Sequence, residues 1–319
     1  MNKKIINAFL ILTLLVSGVV VLADSLSVES DKQEFKDADS KIYLEGNVKV
    51  KSGGINVLSP KAVVEVNPKN HKVDSVEFQD NAYSYYMESG KKHEIKAQVL
   101  NMSLLNKYFT AKGDSISTIT EKDKPVVIVT ADRQEYNKKT NVMKAFGNVN
   151  ILYKDIETFS EKAVVELNKD NDVKYIELIG SADLKQGKSR IKANNLTYDS
   201  AKQEANAIGN VHTSVVTEDG KNIQVWSTYQ SYYKLINMVT ASGNTKVKYE
   251  DYYAQGPKVN VLADEKTKKL NEAIFVGRSK IETKGRTIEA DRISITMNPK
   301  DFKEEGNVKS IIPNIGNMN

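Results

Sequence analysis

The sequence predicts an all-β fold, a long stack of antiparallel hairpins, and three observations carry that prediction. First, a marker step recurs at a fixed period. It reads Leu44-Glu45-Gly46-Asn47-Val48, Ala145-Phe146-Gly147-Asn148-Val149, Ala207-Ile208-Gly209-Asn210-Val211, Ala241-Ser242-Gly243-Asn244-Thr245 and Glu304-Glu305-Gly306-Asn307-Val308. Weaker copies place further markers at Asp80, Gly113, Gly180 and Gly277, so neighbouring markers stand 29 to 34 residues apart. A period of this size signals stacked supersecondary units, none of which buries its apolar face alone. Second, apolar residues alternate with polar ones along the chain, as strands require, and no long stretch beyond residue 23 has helical spacing. Third, polar turn formers separate the alternating runs, which makes the connections hairpins.

The chain opens with Met1-Asn2-Lys3-Lys4, an apolar run from Ile5 to Leu22, and Val21-Leu22-Ala23 with the spacing of a signal-peptidase site. Residues 1–23 are read as an export leader, with an uncleaved anchor as the alternative because the apolar run nears membrane-spanning length. Both place the body outside the cytoplasm, in the periplasm, and residues 24–319 are read as one repeat domain. Without cysteine, neither a lipidated N-terminus nor a disulfide is available. Beyond residue 23, 44 basic residues stand against 41 acidic ones, a net of +3, which gives no footing for nucleic acid.

Each repeat begins with a strand whose apolar phase slips by one. In Ile288-Glu289-Ala290-Asp291-Arg292-Ile293-Ser294-Ile295, Ile288 and Ala290 share one parity and Ile293 and Ile295 the other. The same slip occurs in Ile191 to Tyr198, in Val57 and Ser59 against Ala62 and Val64, and in Ala254 and Gly256 against Val259 and Val261. A bulge or corner would return both halves to one interior. Next comes a turn such as Asn67-Pro68-Lys69-Asn70, Asn137 to Asn141, Asp170-Asn171-Asp172 or Asp199-Ser200-Ala201-Lys202. The return strand then carries the Gly step on its apolar side, where glycine either permits a kink or leaves room for a packed group. The expected lining of the interior is Val48, Val50, Val149, Ile151, Ala193, Leu196, Val211, Val247, Val259, Ala290, Ile293, Ile295 and Val308.

Catalytic and metal chemistry find no constellation. His71, His93 and His212 are far apart and none has a ligand at metal-binding spacing. His212, Ser214 and Asp219 lack a Gly-x-Ser-x-Gly elbow, and no phosphate-wrapping Gly-Lys-Ser/Thr loop occurs. No cofactor, no metal and no enzymatic activity are expected. The clustered tyrosines and the single Trp226 are candidates for the rim of an apolar groove.

The Ile-x-Ala-Asp/Asn strand, a polar turn and Ala-x-Gly-Asn-Val, all behind a leader, resemble the OstA/LptA family of lipopolysaccharide-transport proteins. The resemblance covers nearly all of residues 40–310 and is sharpest from Ile191 to Val211 and from Ile288 to Val308. It implies an elongated, twisted, V-shaped antiparallel β-jellyroll holding acyl chains of lipopolysaccharide or a related glycolipid in its groove. It also implies edge-strand pairing with LptC-like inner-membrane and LptD-like outer-membrane partners, or head to tail with further copies, through strands near Lys41 to Lys51 and Lys303 to Ile312. Two other readings stand beside this one: a secreted β-solenoid that binds polysaccharide or acts as a scaffold, and an LptC-like anchored adaptor.

Overall fold

A computed structural model describes residues 26–88, 90–169, 173–216, 220–264, 270–297 and 300–312. The leader, the Asp170-Asn171-Asp172 turn and Asp219 lie outside the described residues. Those described form 22 strands, antiparallel in every resolved pairing, with two single-turn 3-10 helices and no α-helix. They divide into two compact units at residues 178 and 179.

The first unit holds β1 (Ser27–Glu29), β2 (Lys32–Lys36), β3 (Lys41–Ser52), β4 (Ile55–Val66), β5 (Val73–Gln79), β6 (Ala82–Glu88), β7 (Lys91–Ala97) and β8 (Val99–Ser103). It continues through β9 (Tyr108–Glu121), β10 (Lys124–Asn137), β11 (Val142–Tyr153), β12 (Ile156–Leu167) and the start of β13 (Val173–Gln186). The second runs from the end of β13 through β14 (Ser189–Asp199), β15 (Glu204–Val216), β16 (Asn222–Tyr233), β17 (Met238–Tyr249) and β18 (Tyr252–Ala263). It closes with β19 (Leu270–Glu282), β20 (Thr287–Met297), β21 (Lys300–Glu305) and β22 (Lys309–Ile311). The polar clusters make the hairpin turns as their chemistry dictates. Asn137 Oδ1 accepts from the backbone N–H of Lys139 at 2.9 Å, and Asp199 Oδ1 from that of Ala201 at 3.0 Å.

The phase slip is a corner. Ile288, Ala290, Ile293 and Ile295 all enter one buried cluster, although the first pair and the second have opposite parity. The β19–β20 register shifts between Val276 and Ser279, the Gly-Asn steps at Gly46, Gly147, Gly209 and Gly243 stand at shifts of the same kind, and at Gly306 the strand breaks between β21 and β22. All nine markers have left-handed backbone, from Asp80 at φ 64° to Gly277 at φ 84°. Five are followed by an Asn at φ 45–50°, a conformation Asn tolerates better than most residues.

Facing these steps across the corner is a polar residue that follows the small residue of the neighbouring strand, the Asp or Asn of the Ala-Asp/Asn marker at Gly147, Gly209 and Gly306, Asp31 at Gly46 and Thr228 at Gly243. Asn47 Nδ2 donates to Asp31 at 2.9 Å, Asn148 to Asp132 at 3.2 Å, Asn210 to Asn194 at 3.3 Å and Asn307 to Asp291 at 2.7 Å. The backbone N–H of Asp31 and Asp291 donates back to the carbonyl of Gly46 and Gly306, both at 2.9 Å. A Cβ on Gly147 would lie 1.9 Å from Asp132 Oδ2, so the marker must be glycine for approach as well as for φ. The room left by these glycines is thus filled by the chain's own carboxylate, amide or hydroxyl, not by a ligand.

Two sequence expectations are corrected. The strand Lys41 to Lys51 is not an edge: β3 pairs with β4 on one side and with β1 and β2 on the other, because residues 27–36 return as an additional broken strand. Val308 is 50% exposed instead of interior. It falls in the gap between β21 and β22, both laid against β20, with no further strand paired outside it among the described residues.

Candidate functional site

Each unit has an interior fed by the inward-facing side chains of its strands, and in each the packing leaves a cavity. In the first unit a space of about 120 Å³ is bounded by Tyr86, Ile95, Leu100, Met102, Phe109 and Tyr136. Burial is the main cause that pushes the hydroxyls of Tyr86 and Tyr136 above the ordinary phenol value, so both stay protonated donors. The cavity borders a packed cluster, shared through Ile55, Leu100 and Met102, that includes Leu44, Val48, Val57, Val76 and Phe78, each no more than 1% exposed.

The second unit holds a larger space of about 170 Å³, lined on β16 to β21 chiefly by Val225, Val247, Val259, Phe275, Ile295 and Phe302. Val225, Val247, Ala254 and Ile281 form one cross-strand row, which is how the sequence delivers them to the same wall. Polar chemistry enters at few points. Lys300 Nζ lies 3.8 Å from the Tyr252 ring centroid and 2.6 Å from its hydroxyl, and Thr213 donates to Gln230 at 2.7 Å within the lining.

The structure sorts the sequence-selected residues into three groups. Val247, Val259 and Ile295 line the second cavity. Val48, Val50, Val149, Ile151, Ala193, Leu196, Val211, Ala290 and Ile293 are buried but pack into the interior away from both cavities. Val308 is exposed. Sequence reasoning missed Met102, Phe109 and Phe302, which share the inward parity of their strands but stand outside the Ala and Gly markers, and it passed over Phe275 although Phe275 opens the weak marker at Gly277. Trp226 is not at the cavity. It stacks on His212, ring centroids 4.9 Å apart and planes 6° apart, on the face opposite Val225.

Both ends of the described chain present strands paired on one side. Among the described residues β1 and β2 pair only with β3, and β21 and β22 only with β20. Phe35, Ile311 and Ile312 on or beside these strands are 57%, 50% and 70% exposed.

Antiparallel sheets with a charged outer face, apolar cavities within and one-sided terminal strands define a hollow β protein. Residues 27–126 and 128–225 match the family of LptA/(LptD N-terminal domain) LPS transport proteins, and the chain belongs to that family. Among solved structures it is similar to LptH, the LptA-homologous periplasmic component of the conserved lipopolysaccharide transport device from Pseudomonas aeruginosa. That similarity has 14% identity over 44% of this chain and 76% of LptH, with a TM-score of 0.23. No curated protein matches the chain at a significant level.

Proposed function

We propose that this protein is a non-enzymatic periplasmic carrier that shields the acyl chains of lipopolysaccharide, or of a related glycolipid, between the inner and outer membranes. The observation that supports the reading most is the 170 Å³ cavity walled by Val225, Val247, Val259, Phe275, Ile295 and Phe302. An acyl chain of about 12–14 carbons costs on the order of 10 kcal/mol to expose to water, at about 0.8 kcal/mol per methylene. An apolar interior removes most of that cost. Similar repeats give each unit an apolar wall of the same kind, so an acyl chain meets comparable surroundings in either cavity.

In this reading residues 1–23 direct export and the remaining repeats act as one transport domain. The one-sided strands β1/β2 and β21/β22 offer backbone groups for strand addition by LptC-like and LptD-like partners or by a second copy. Photocrosslinking in cells tests it. A photoreactive residue at Val247 captures glycolipid, and one at Lys246, its outward neighbour, does not. Adducts from Lys246 and none from Val247 would remove the carrier reading.

A further inference from the structure

At eight corners the residue three places beyond the small residue is buried or half-buried. In six it is apolar: Ala62, Leu100, Ala163, Leu196, Val259 and Ile293. In the other two it is glutamine, Gln134 on β10 and Gln230 on β16, and each borders one of the two cavities. The two glutamines are built alike. Gln134 stands between Ala111 and Ala145 on its neighbouring strands, and Gln230 between Ala207 and Ala241. Flanking alanines leave the amide room to lie along the wall. Each amide carbonyl accepts from a hydroxyl seventeen residues earlier, Ser117 Oγ at 2.7 Å and Thr213 Oγ1 at 2.7 Å.

An amide in an apolar wall costs free energy relative to Leu196 or Ile293 unless its hydrogen-bonding capacity is used. The capacity is four: two N–H donors and two carbonyl lone pairs. Gln230 uses two, the bond from Thr213 and a long one of 3.4 Å to the Val225 carbonyl. Gln134 is held more firmly, its Nε2 donating to Ser115 O, Ser115 Oγ and Val129 O at 3.2 Å each. What remains is one lone pair on each carbonyl and, on Gln230, one N–H. A hydroxyl, which donates once and accepts, matches that remainder; a plain methylene chain leaves it unmet.

We propose that Gln134 with Ser117 and Gln230 with Thr213 are polar rungs that recognise a hydroxyl carried on an acyl chain inside the cavities. The proposal rests on the carrier reading and narrows its ligand to hydroxylated acyl chains. It also gives transport a pause: the rung holds a chain at one register in each unit, where featureless walls would let it slip.

The test is calorimetric titration of the full-length protein with tetradecanoate and with hydroxytetradecanoates bearing the hydroxyl near the carboxylate, at mid-chain or near the methyl end. The wild-type protein binds at least one hydroxylated isomer about fivefold more tightly than tetradecanoate, the size of a neutral hydrogen bond in mutational series. The Gln134→Leu/Gln230→Leu variant, which places at both corners a residue the fold already uses at Leu196, binds all chains alike. A single Gln230→Leu variant reports the second unit alone, with the same direction. Equal binding of every chain by the wild-type protein, or a preference that survives both substitutions, would overturn the rungs and leave the carrier reading standing. Binding of no chain at all would overturn both.

Discussion

Replacing Gly147 by alanine tests the corner, the device that repeats along the whole chain. Gly147 has φ +71°, where an L-residue costs about 1–2 kcal/mol. The new Cβ would lie 1.9 Å from Asp132 Oδ2 and 2.6 Å from its Cγ, so the carboxylate must swing out. Its hydrogen bonds from Asn148 Nδ2, at 3.2 and 3.4 Å, go with it. Losing that exposed contact adds about 1 kcal/mol, giving a total of about 2–3 kcal/mol. Gly54 is the control: φ is +85°, but nothing lies within 4 Å of its Cβ direction, so Gly54→Ala carries the backbone cost alone. Urea unfolding of both variants should place Gly147→Ala about 1 kcal/mol below Gly54→Ala. Adding Asp132→Ala to Gly147→Ala removes the clash, so the pair loses less than the sum of its singles. Equal losses for the two glycine variants, or strict additivity with Asp132→Ala, would refute the view that the marker is glycine because the facing side chain occupies its Cβ space.

Three further outcomes follow from the same structure. Val247→Glu puts a carboxylate into the wall of the second cavity, and fatty-acid titration should show at least about tenfold weaker binding with the fold intact by circular dichroism, since an unpaired buried charge costs several kcal/mol. His93 is 6% exposed and stacked on Tyr86 with ring centroids 4.5 Å apart; burial, then the nearby Lys91 charge, push its pKa from 6.5 down to about 4. The folded protein keeps His93 neutral while the unfolded chain takes up a proton, so this stability is full above pH 6.5 and drains as pH falls toward 4. The loss amounts to about 3 kcal/mol and His93→Phe flattens it, which urea midpoints across that range measure. Ile311→Pro with Ile312→Pro blocks strand addition at the β22 edge, and light scattering should show any self-association lost while the melting temperature barely moves.

Much of this architecture is written in the sequence one strand at a time. Alternation and its slip located the corner between Ala290 and Ile293, because parity is a property of a single strand and survives without knowledge of its neighbours. The meaning of the Gly-Asn step was less accessible. Its partner sits sixteen residues earlier, as in Asp31 with Asn47, Asp132 with Asn148 and Asp291 with Asn307, and only strand pairing reveals that two separate markers are one contact. Cavity walls were least legible. Ile151 and Val247 both stand four residues beyond the Gly of their marker and on the inward side, yet one is 2% exposed in packed interior and the other lines an open space. Which inward residue is covered depends on the size of side chains arriving from strands far along the chain, such as Phe275 and Phe302. Val308 followed its marker faithfully and still emerged in solvent, since burial needs a paired strand beyond it.

The most direct test of the carrier account is native mass spectrometry of the protein purified from its own cells. The account predicts a glycolipid adduct that is present on the wild-type protein and absent from Val247→Glu. Wild-type protein that carries no lipid, or an adduct equally abundant on the variant, would contradict it.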